Sequence, residues 1–373
     1  MKTGKPGRIK YLTGFSEGDV MLKELKYGAL SGKSRAMYGK MLNRYDYNAL
    51  IQKKRISEIL AYLKHNTHYG TILAGIDENN VHRVNLENAL KKDIMTDYSK
   101  FCKFANSKLK EFINVYFRKI EIESLKLILR AFEAGHVEYS VLEESLIFLR
   151  GNDSLDIPKL ALSKDLEEFL SRLRGTGYYE LLKPFIYDSG EMRLFNMEMT
   201  LDLYYIRSLK KAFERLPDKA DKAVVKEMME TEADILNILW VYRSKFLHDF
   251  PNELIRSYMV HITGKLGRKT TDELINAENA EEYLAILKKS PYSFLFEDQD
   301  QLFFEHSYLE YIHKLHKTYF RRQPFSIACI ISYLRLKELE IANIIIIIEC
   351  IRYGLSEEET RKFVIGMNIQ EKG

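Results

Sequence analysis

The feature that most constrains this chain is a pair of sequence signatures that occur three times in the same order. The first is Thr or Ser, any residue and Tyr, then two variable and two large apolar positions; its copies contain Tyr69, Tyr178 and Tyr292. The second is an acid, two variable residues, Ser or Asn, and an aliphatic residue; its copies contain Glu121 with Ser124, Asp234 with Asn237, and Glu340 with Asn343. The tyrosines recur after 109 and 114 residues and the acids after 113 and 106, so both predict a repeat of roughly 110 residues.

The apolar pattern within each repeat is helical. Over roughly residues 96–118, apolar side chains such as Phe101, Phe112 and Phe117 follow i, i+3, i+4 spacing, and the sequence has no sustained period-two alternation. We therefore predict an all-α protein of three similar helical units. Residues 235–242 and 341–351 are apolar nearly all round, which predicts helices buried on every side. The isoleucine run 344–348 would favour a strand in isolation, but the repeat predicts a helix.

The predicted units span residues 21–135, 136–250 and 251–373, after an N-terminal extension at residues 1–20. Glycine and proline mark the two internal boundaries, near Gly135–Glu138 and at Phe250–Asn252, because both residue types interrupt helical patterns.

Composition excludes several classes of protein. Of 373 residues, 46% are hydrophobic and only seven are proline, so the chain can bury a core. Its three cysteines form no C-x-x-C pair, which favours a reducing, cytoplasmic setting. The N-terminus lacks the apolar stretch of a secretory signal, and the most apolar segment, 341–351, is about half the length of a membrane span. We expect no transmembrane segment.

The basic charge is concentrated at one end of the sequence. The net charge is +4, but residues 1–64 contain 14 Lys and Arg against 5 Asp and Glu, which leaves −5 for the remainder. The run Lys53, Lys54 and Arg55 could contact phosphates, although a solvated helix face is the commoner role of such a run. No nucleic-acid-binding signature accompanies it, so we predict no nucleic-acid partner.

Motifs for catalysis or cofactor binding are weak. The stretch Gly28–Ser34 resembles a phosphate-binding loop but is one residue short and follows a segment of helical character. The pairs His65 with His68 and His313 with His316 have one-turn spacing, yet neither matches H-E-x-x-H and no cysteine adds ligands. We predict no catalytic residue, cofactor, metal or small-molecule substrate.

The repeated acids Glu121, Asp234 and Glu340 are candidates for a shared site, because three equivalent carboxylates around a pseudo-symmetry axis could line one cavity. The commoner explanation is structural: an acid near a helix start accepts hydrogen bonds from free N–H groups and stabilises the positive helix end. Contact with a partner protein and, less often, catalysis are the alternatives. The Ser or Asn that accompanies each acid is a candidate on the same grounds.

The threefold pattern resembles the C subunit of V/A-type ATPases, a family whose eukaryotic relative is the d subunit of the vacuolar proton pump. The likeness extends over about residues 20–365 and rests on the signatures above with the segments Tyr27–Met37, Leu336–Ile344 and Arg352–Leu355. One position departs from the family. A basic residue commonly stands six positions after the Ser or Asn, as Arg130 and Arg243 do, but the third copy has Glu349.

The resemblance implies a funnel of three related helical units around a pseudo-threefold axis. It implies a non-catalytic rotor part on the cytoplasmic face of the cell membrane, seated on the membrane proteolipid ring and receiving the tip of the central shaft, whose subunits are of the D and F type. From the residues themselves, the basic first 64 could face acidic loops or lipid headgroups. A cytosolic helical-repeat scaffold for another protein assembly is the alternative function, and an enzyme acting on phosphorylated substrates is a third.

Overall fold

A computed structural model describes residues 17–79, 81–133, 155–188, 190–262, 264–296 and 304–367. Over these residues it contains 17 α-helices and no β-strand, which confirms the predicted all-α class. None of the helices in these ranges is both long and apolar enough to cross a membrane.

Each predicted unit contributes short helices followed by two long ones. An N-terminal helix, α1, spans Glu17–Tyr38. Most of α1 lies in the predicted first unit, which also contains α2 (Arg44–Ile51), α3 (Ile56–Asn66), α4 (Gly70–Leu73), and the long α5 (Arg83–Phe104) and α6 (Ser107–Glu133). The second contains α7 (Ile157–Ala161), α8 (Leu166–Arg172), α9 (Gly177–Leu182), and the long α10 (Gly190–Glu214) and α11 (Lys219–Phe246). The third contains α12 (Asn252–Ser257), α13 (Gly267–Asn276), α14 (Ala280–Leu287), the long α15 (Phe304–Arg322) and α16 (Ile327–Arg352), and finally α17 (Glu357–Phe363).

The long helices of the first unit differ from the sequence prediction. The apolar pattern predicts one helix over 96–118, but α5 ends at Phe104 and α6 begins at Ser107. The Asn106 side chain accepts a hydrogen bond from the Leu109 N–H (3.0 Å), as Asn commonly does at a helix start. Phe104, which the stripe predicts to be buried, is 54% exposed.

This break places the repeated acids in the middle of long helices. Glu121, Asp234 and Glu340 lie 14, 15 and 13 residues after the first residue of α6, α11 and α16. Free N–H groups occur only in the first turn of a helix. The prediction that these acids cap helix starts is therefore wrong, and their partners lie elsewhere.

Two ambiguous segments are helical. Residues 341–351 lie within α16 and are mostly buried, as the repeat predicts. The prediction that residues 235–242 are buried on every side of their helix, α11, is wrong at Leu236, which is 40% exposed. The stretch Gly28–Ser34 is part of α1, where the Ser34 hydroxyl donates to the Leu30 carbonyl (2.7 Å), so it forms no phosphate-binding loop.

The buried apolar side chains form two cores, and α6 belongs to both. Side chains of α6 up to Phe117 pack into the larger core, which also contains α5, α11, α15 and α16. From Ile122 onward, α6 packs against short helices of the second unit, including Phe169 of α8 and Leu182 of α9. Glu121 lies at this crossover. One continuous helix therefore links the first unit to the second.

The long helices of successive units also pack on one another. α10 of the second unit lies along α6 of the first, and α5 of the first lies against α16 of the third. α15 lies along α16 and also contacts α11 of the second unit, while α17 of the third unit packs against α2 of the first. α12 begins directly after Pro251, where the sequence predicts a helix interruption; the other predicted boundary, Gly135–Glu138, lies outside the described residues.

Candidate functional site

The repeated acids meet the repeated tyrosines across the units. Asp234 Oδ2 accepts a hydrogen bond from the Tyr292 hydroxyl (2.8 Å), which joins the second unit to the third. Glu340 Oε1 accepts one from the Tyr69 hydroxyl (2.7 Å), which joins the third unit to the first. Both acids and both tyrosines are buried.

Glu121 and Tyr178 lie close to each other between the first and second units, but among the described residues the Tyr178 hydroxyl has no hydrogen-bond partner. Burial first, and then the charge of Glu121, raise the pKa of the Tyr178 hydroxyl well above its usual range, because a phenolate there would be desolvated beside a carboxylate. The acids of the first, second and third units thus face the tyrosines of the second, third and first. We call these contacts the first junction (Glu121), the second junction (Asp234) and the closing junction (Glu340).

The closing junction is a buried cluster of charges. Lys337 Nζ lies 3.0 Å from Glu340 Oε1 and 2.8 Å from the Tyr69 hydroxyl, and all three residues are buried. The other carboxylate oxygen of Glu340 accepts a hydrogen bond from the Leu42 N–H, in the segment that leads into α2. A buried carboxylate is tolerated when its oxygens are paired in this way. The third unit therefore holds both the tyrosine of the first unit and the segment that leads into it.

Asp93 and His68 complete the closing junction. Asp93 of α5 lies 2.9 Å from Lys337 Nζ and 3.4 Å from His68 Nε2. Burial acts to raise the pKa of Asp93, but the nearby His68 and the charge of Lys337 outweigh it and lower the pKa to about 2. Asp93 is therefore ionised throughout the neutral range.

The second junction uses main-chain donors instead of a base. Among the described residues no Lys or Arg pairs with Asp234; its carboxylate accepts hydrogen bonds from the N–H groups of Gly264 (3.1 Å) and Leu266 (2.9 Å), which precede α13. A side-chain carbon at position 264 would lie 2.5 Å from Asp234 Oδ2. Glycine therefore permits the close approach of this segment to the acid.

The repeated asparagines hold the segments that follow their own helices. Asn237 accepts a hydrogen bond from the Val260 N–H and donates one to its carbonyl, both at 2.9 Å. Asn343 makes the same pair with Ile365, at 2.8 and 2.9 Å. Ser124 differs, because its hydroxyl donates to the carbonyl four residues earlier in α6 (3.0 Å). The asparagine contacts therefore repeat in the second and third units only.

A charge pair repeats six positions after each Ser or Asn. In the first junction Arg130 makes two hydrogen bonds to Glu198 of α10, at 2.5 and 3.1 Å. In the second junction Arg243 pairs with Glu305 of α15 (3.0 Å). Both pairs join the long helix that carries the acid to the first long helix of the next unit.

The closing junction makes this contact with the charges exchanged. Glu349, which stands where the first and second units have arginine, pairs with Arg83 at the start of α5 (2.6 Å). The acid at position 349 therefore faces a base on the first unit, where the other two junctions have a base facing an acid, and an ion pair forms in all three places. The pair of Glu349 and Arg83 is partly exposed, so its contribution to stability is of the order of 1 kcal/mol or less.

Charged side chains from all three units meet where α6, α11 and α16 approach one another. Arg335 pairs with Glu338 (2.7 Å) and Glu232 (3.8 Å), and Glu338 also pairs with Lys119 (3.8 Å). Lys119, Glu232 and Glu338 each stand two residues before the acid of their own unit. The three acids themselves lie in three separate junctions and do not line one shared cavity. We call this group, with His316, the central cluster.

His316 is the most deeply buried member of the central cluster. It lies 3.2 Å from the Ser332 hydroxyl and 3.4 Å from Glu232 Oε1. Burial acts to raise the pKa of Glu232, but the hydrogen bond from His316 and the charge of Arg335 outweigh it and lower the pKa to about 2. The cluster therefore keeps opposite charges together where the units meet.

Comparison with known proteins decides the family. The sequence profile described as ATP synthase (C/AC39) subunit matches residues 30–363, which is most of the chain. The chain belongs to this family. Similar proteins, each named as the C subunit of an A-type ATP synthase, occur in three archaea. The protein of Methanosphaera stadtmanae is 24% identical over 88% of this chain and 84% of its own length, that of Methanocaldococcus jannaschii is 24% identical over 91% and 86%, and that of Thermococcus kodakarensis is 24% identical over 94% and 93%.

In this C/AC39 family member the basic run lies in the turn between α2 and α3. Lys54 and Arg55 are exposed, and Lys53 lies over the Tyr62 ring (5.6 Å from its centre). Within the ranges that the structure describes, none of the three forms an ion pair. The run therefore presents uncompensated positive charge.

The histidine pairs are used in separate contacts. His316 belongs to the central cluster and His68 to the closing junction, while His65 Nε2 lies 3.1 Å from Glu78. Burial, with nearby lysines, lowers the pKa of His313 to about 4. In the described part of the chain, no group of three or more His, Cys, Asp or Glu side chains could hold a metal ion.

Sequence reasoning missed Lys337, Asp93 and Arg83. Lys337 stands one helical turn before Glu340, a spacing that favours an ion pair and was a readable signal. The unusual acid at Glu349 was a second signal, because a charge reversal inside a repeat implies a reversed partner. Asp93 gave none, since its partners lie on other helices.

Proposed function

We propose that this C/AC39 family member is a non-catalytic adaptor in the central stalk of a V/A-type rotary ATPase. It lies on the cytoplasmic face of the membrane and connects the rotor shaft, built of D- and F-type subunits, to the proteolipid ring. It passes rotation between them during ATP-driven ion transport or ATP synthesis. The observation that carries this proposal is the circle of junctions, which returns from the third unit to the first.

A circle of contacts suits a part that transmits torque. Units joined only in series can hinge at each connection, because interfaces between units of one chain commonly allow relative motion. Here the chain connects the first unit to the second and the second to the third, and the closing junction adds a connection between the third and the first. Closely packed helices also resist deformation. The relatives named as the C subunit of an A-type ATP synthase support the same class of machine.

The repeated polar residues act in this proposal by holding the wall of a cavity that receives the shaft. Glu340 and Asn343 fix the first unit and the chain end against α16, and Asp234 and Asn237 fix the third unit against α11. Glu121 and Ser124 occupy the corresponding places in α6. Their effect on the shaft is therefore indirect, through the position of the helices.

The basic run supplies the contact with the ring. Lys53, Lys54 and Arg55 present positive charge with no ion-pair partner among the described residues, which fits acidic loops or headgroups at the membrane sector.

Reversing this charge tests the proposal. We expect the triple variant Lys53→Glu, Lys54→Glu, Arg55→Glu to reduce the amount of chain that co-purifies with the solubilised proteolipid ring by roughly tenfold, because three surface contacts of up to about 1 kcal/mol each are lost. Thermal unfolding should be unchanged.

A matched control reverses the same amount of charge elsewhere. Lys269, Lys288 and Lys289 are exposed, and their replacement by Glu should leave ring binding unaltered. Unchanged binding by the first variant would count against the ring contact. Absence of both shaft and ring subunits from purifications of the unmodified chain would favour a different helical scaffold.

A further inference from the structure

A cavity of about 250 Å³ opens between α10, α11 and the segment that leads into α13. Its apolar lining residues, which we call the floor, are half-buried: Phe213, Met229 and Ile262. Its polar lining residues, which we call the rim, are mostly exposed: Lys210, Lys226, Glu230, His261 and Arg268. These side chains are distinct from those that form the junctions and the central cluster, so the cavity has no part in the contacts already described.

The rim carries excess positive charge. Lys226 pairs with Glu230 one turn further along α11 (3.6 Å). Lys210 and Arg268 form no ion pair within the part of the chain that the structure describes. Two positive charges therefore remain uncompensated at the mouth of an apolar cavity, which favours an anionic occupant.

In the third unit, buried side chains occupy the position that corresponds to this cavity. Counted back from the repeated acids, Lys210 and Lys226 correspond to His316 and Ser332, which are buried and hydrogen-bonded to each other. There α15 lies along α16, whereas α10 packs mainly on α6 and leaves part of α11 uncovered. The repeat alone therefore does not create the cavity, because the third unit fills the corresponding place.

The size of the cavity limits its occupant. Pockets that enclose small ligands have volumes of about 300–1,000 Å³, so an open cavity of about 250 Å³ suits one or two side chains of a partner better than a nucleotide. Apolar anchors at helical spacing, flanked by carboxylates, match an apolar floor with a basic rim. Residues 1–16 of this chain do not match it, since they contain four basic and no acidic residues.

We propose that this cavity is the docking site of an acidic amphipathic helix from a partner protein. The helix places one or two apolar side chains against Phe213 and Met229, and its carboxylates lie beside Lys210 and Arg268. The site is separate from the Lys53–Arg55 run, so it does not depend on the proposed ring contact.

Site-specific photocrosslinking in the complete rotary ATPase tests the proposal. p-Benzoyl-L-phenylalanine replaces His261, an exposed residue of the rim, and mass spectrometry locates the crosslinked segment. We expect one segment of another protein with at least two Asp or Glu residues on the same helical face as an apolar residue. Crosslinks only within this chain, to a second copy, to a basic or neutral segment, or none in an assembled complex would overturn the proposal.

Two controls make the result specific. The same crosslinker at Tyr187, which is 93% exposed, should not label the segment found from position 261. The variant Lys210→Glu, Lys226→Glu, Arg268→Glu should lower the crosslinked fraction roughly tenfold, whereas Lys211→Glu, Lys269→Glu, Lys288→Glu, with the same change of charge, should not. Equal losses in the two variants would overturn the proposal. Shaft and ring subunits are quantified in the same samples, so failure at the cavity is distinguishable from failure of the complex to assemble.

Discussion

The closing junction and the first junction share their signature residues but differ in their surroundings. Glu340 is 2% exposed and is paired with a tyrosine, a main-chain N–H and Lys337, whereas Glu121 is only half-buried and Ser124 bonds within its own helix. The chain itself explains the difference. α6 runs through both cores and joins the first unit to the second, but among the described residues no helix continues from the third unit into the first. Noncovalent contacts must hold the circle there, and the acid is paired there with a lysine as well as with a tyrosine and a main-chain N–H.

The largest expected effect is at Glu340. Glu340→Ala removes the partner of Tyr69 and of the Leu42 N–H and leaves Lys337 with only part of its pairing, so the free energy of unfolding should fall by about 3–5 kcal/mol. Glu121→Ala should cost about 1 kcal/mol. Urea unfolding at pH 7 measures both, and equal losses would remove the distinction between the two junctions. In the assembled complex, Glu340→Ala with Asn343→Ala should also weaken the coupling of ATP hydrolysis to ion transport; wild-type coupling would argue against the proposed wall.

Acid pH should weaken the closing junction through Asp93. Its pKa is about 2 in the folded chain and 3.8 ordinarily, so the unfolded chain binds more protons between these values. The contribution of Asp93, about 2 kcal/mol, is present above pH 4 and lost as the pH falls towards 2. Because Glu232 titrates over the same range, the informative quantity is the difference in unfolding free energy between the wild type and Asp93→Asn. That difference should shrink from pH 6 to pH 2, and a constant difference would show that the carboxylate charge is irrelevant there.

The smallest expected effect is at the exchanged ion pair. Glu349→Arg should lower the free energy of unfolding by about 0.3–1 kcal/mol by placing like charges together. Arg83→Glu in the same chain should restore part of it, because Glu87 and Arg352, which also pair with Arg83 and Glu349, keep their charges. The corresponding exchange in the first junction, Arg130→Glu with Glu198→Arg, is the matched control. A double variant as unstable as the sum of its single variants would mean that the two side chains do not interact.

The sequence predicted the helical class and marked the repeated acids and tyrosines as unusual, but it did not predict what those residues contact. Tyr69 and Glu340 belong to signatures that recur three times along the chain, so a single sequence is enough to recognise them. Their pairing spans most of the chain and depends on how the units face each other, which local pattern does not encode. The break at Asn106 was missed because the apolar stripe continues through it, while a single side-chain hydrogen bond starts the new helix.

The exchanged charges at Glu349 and Arg83 have a consequence for fidelity of assembly. If α6 or α11 were to settle on α5 in place of α16, Arg130 or Arg243 would meet Arg83, and if α16 settled on α10 or α15, Glu349 would meet Glu198 or Glu305. Each wrong match sets like charges against each other, which disfavours it. The reversed sign thus distinguishes α16 from α6 and α11, and it favours the contact of α16 with α5 over the wrong matches.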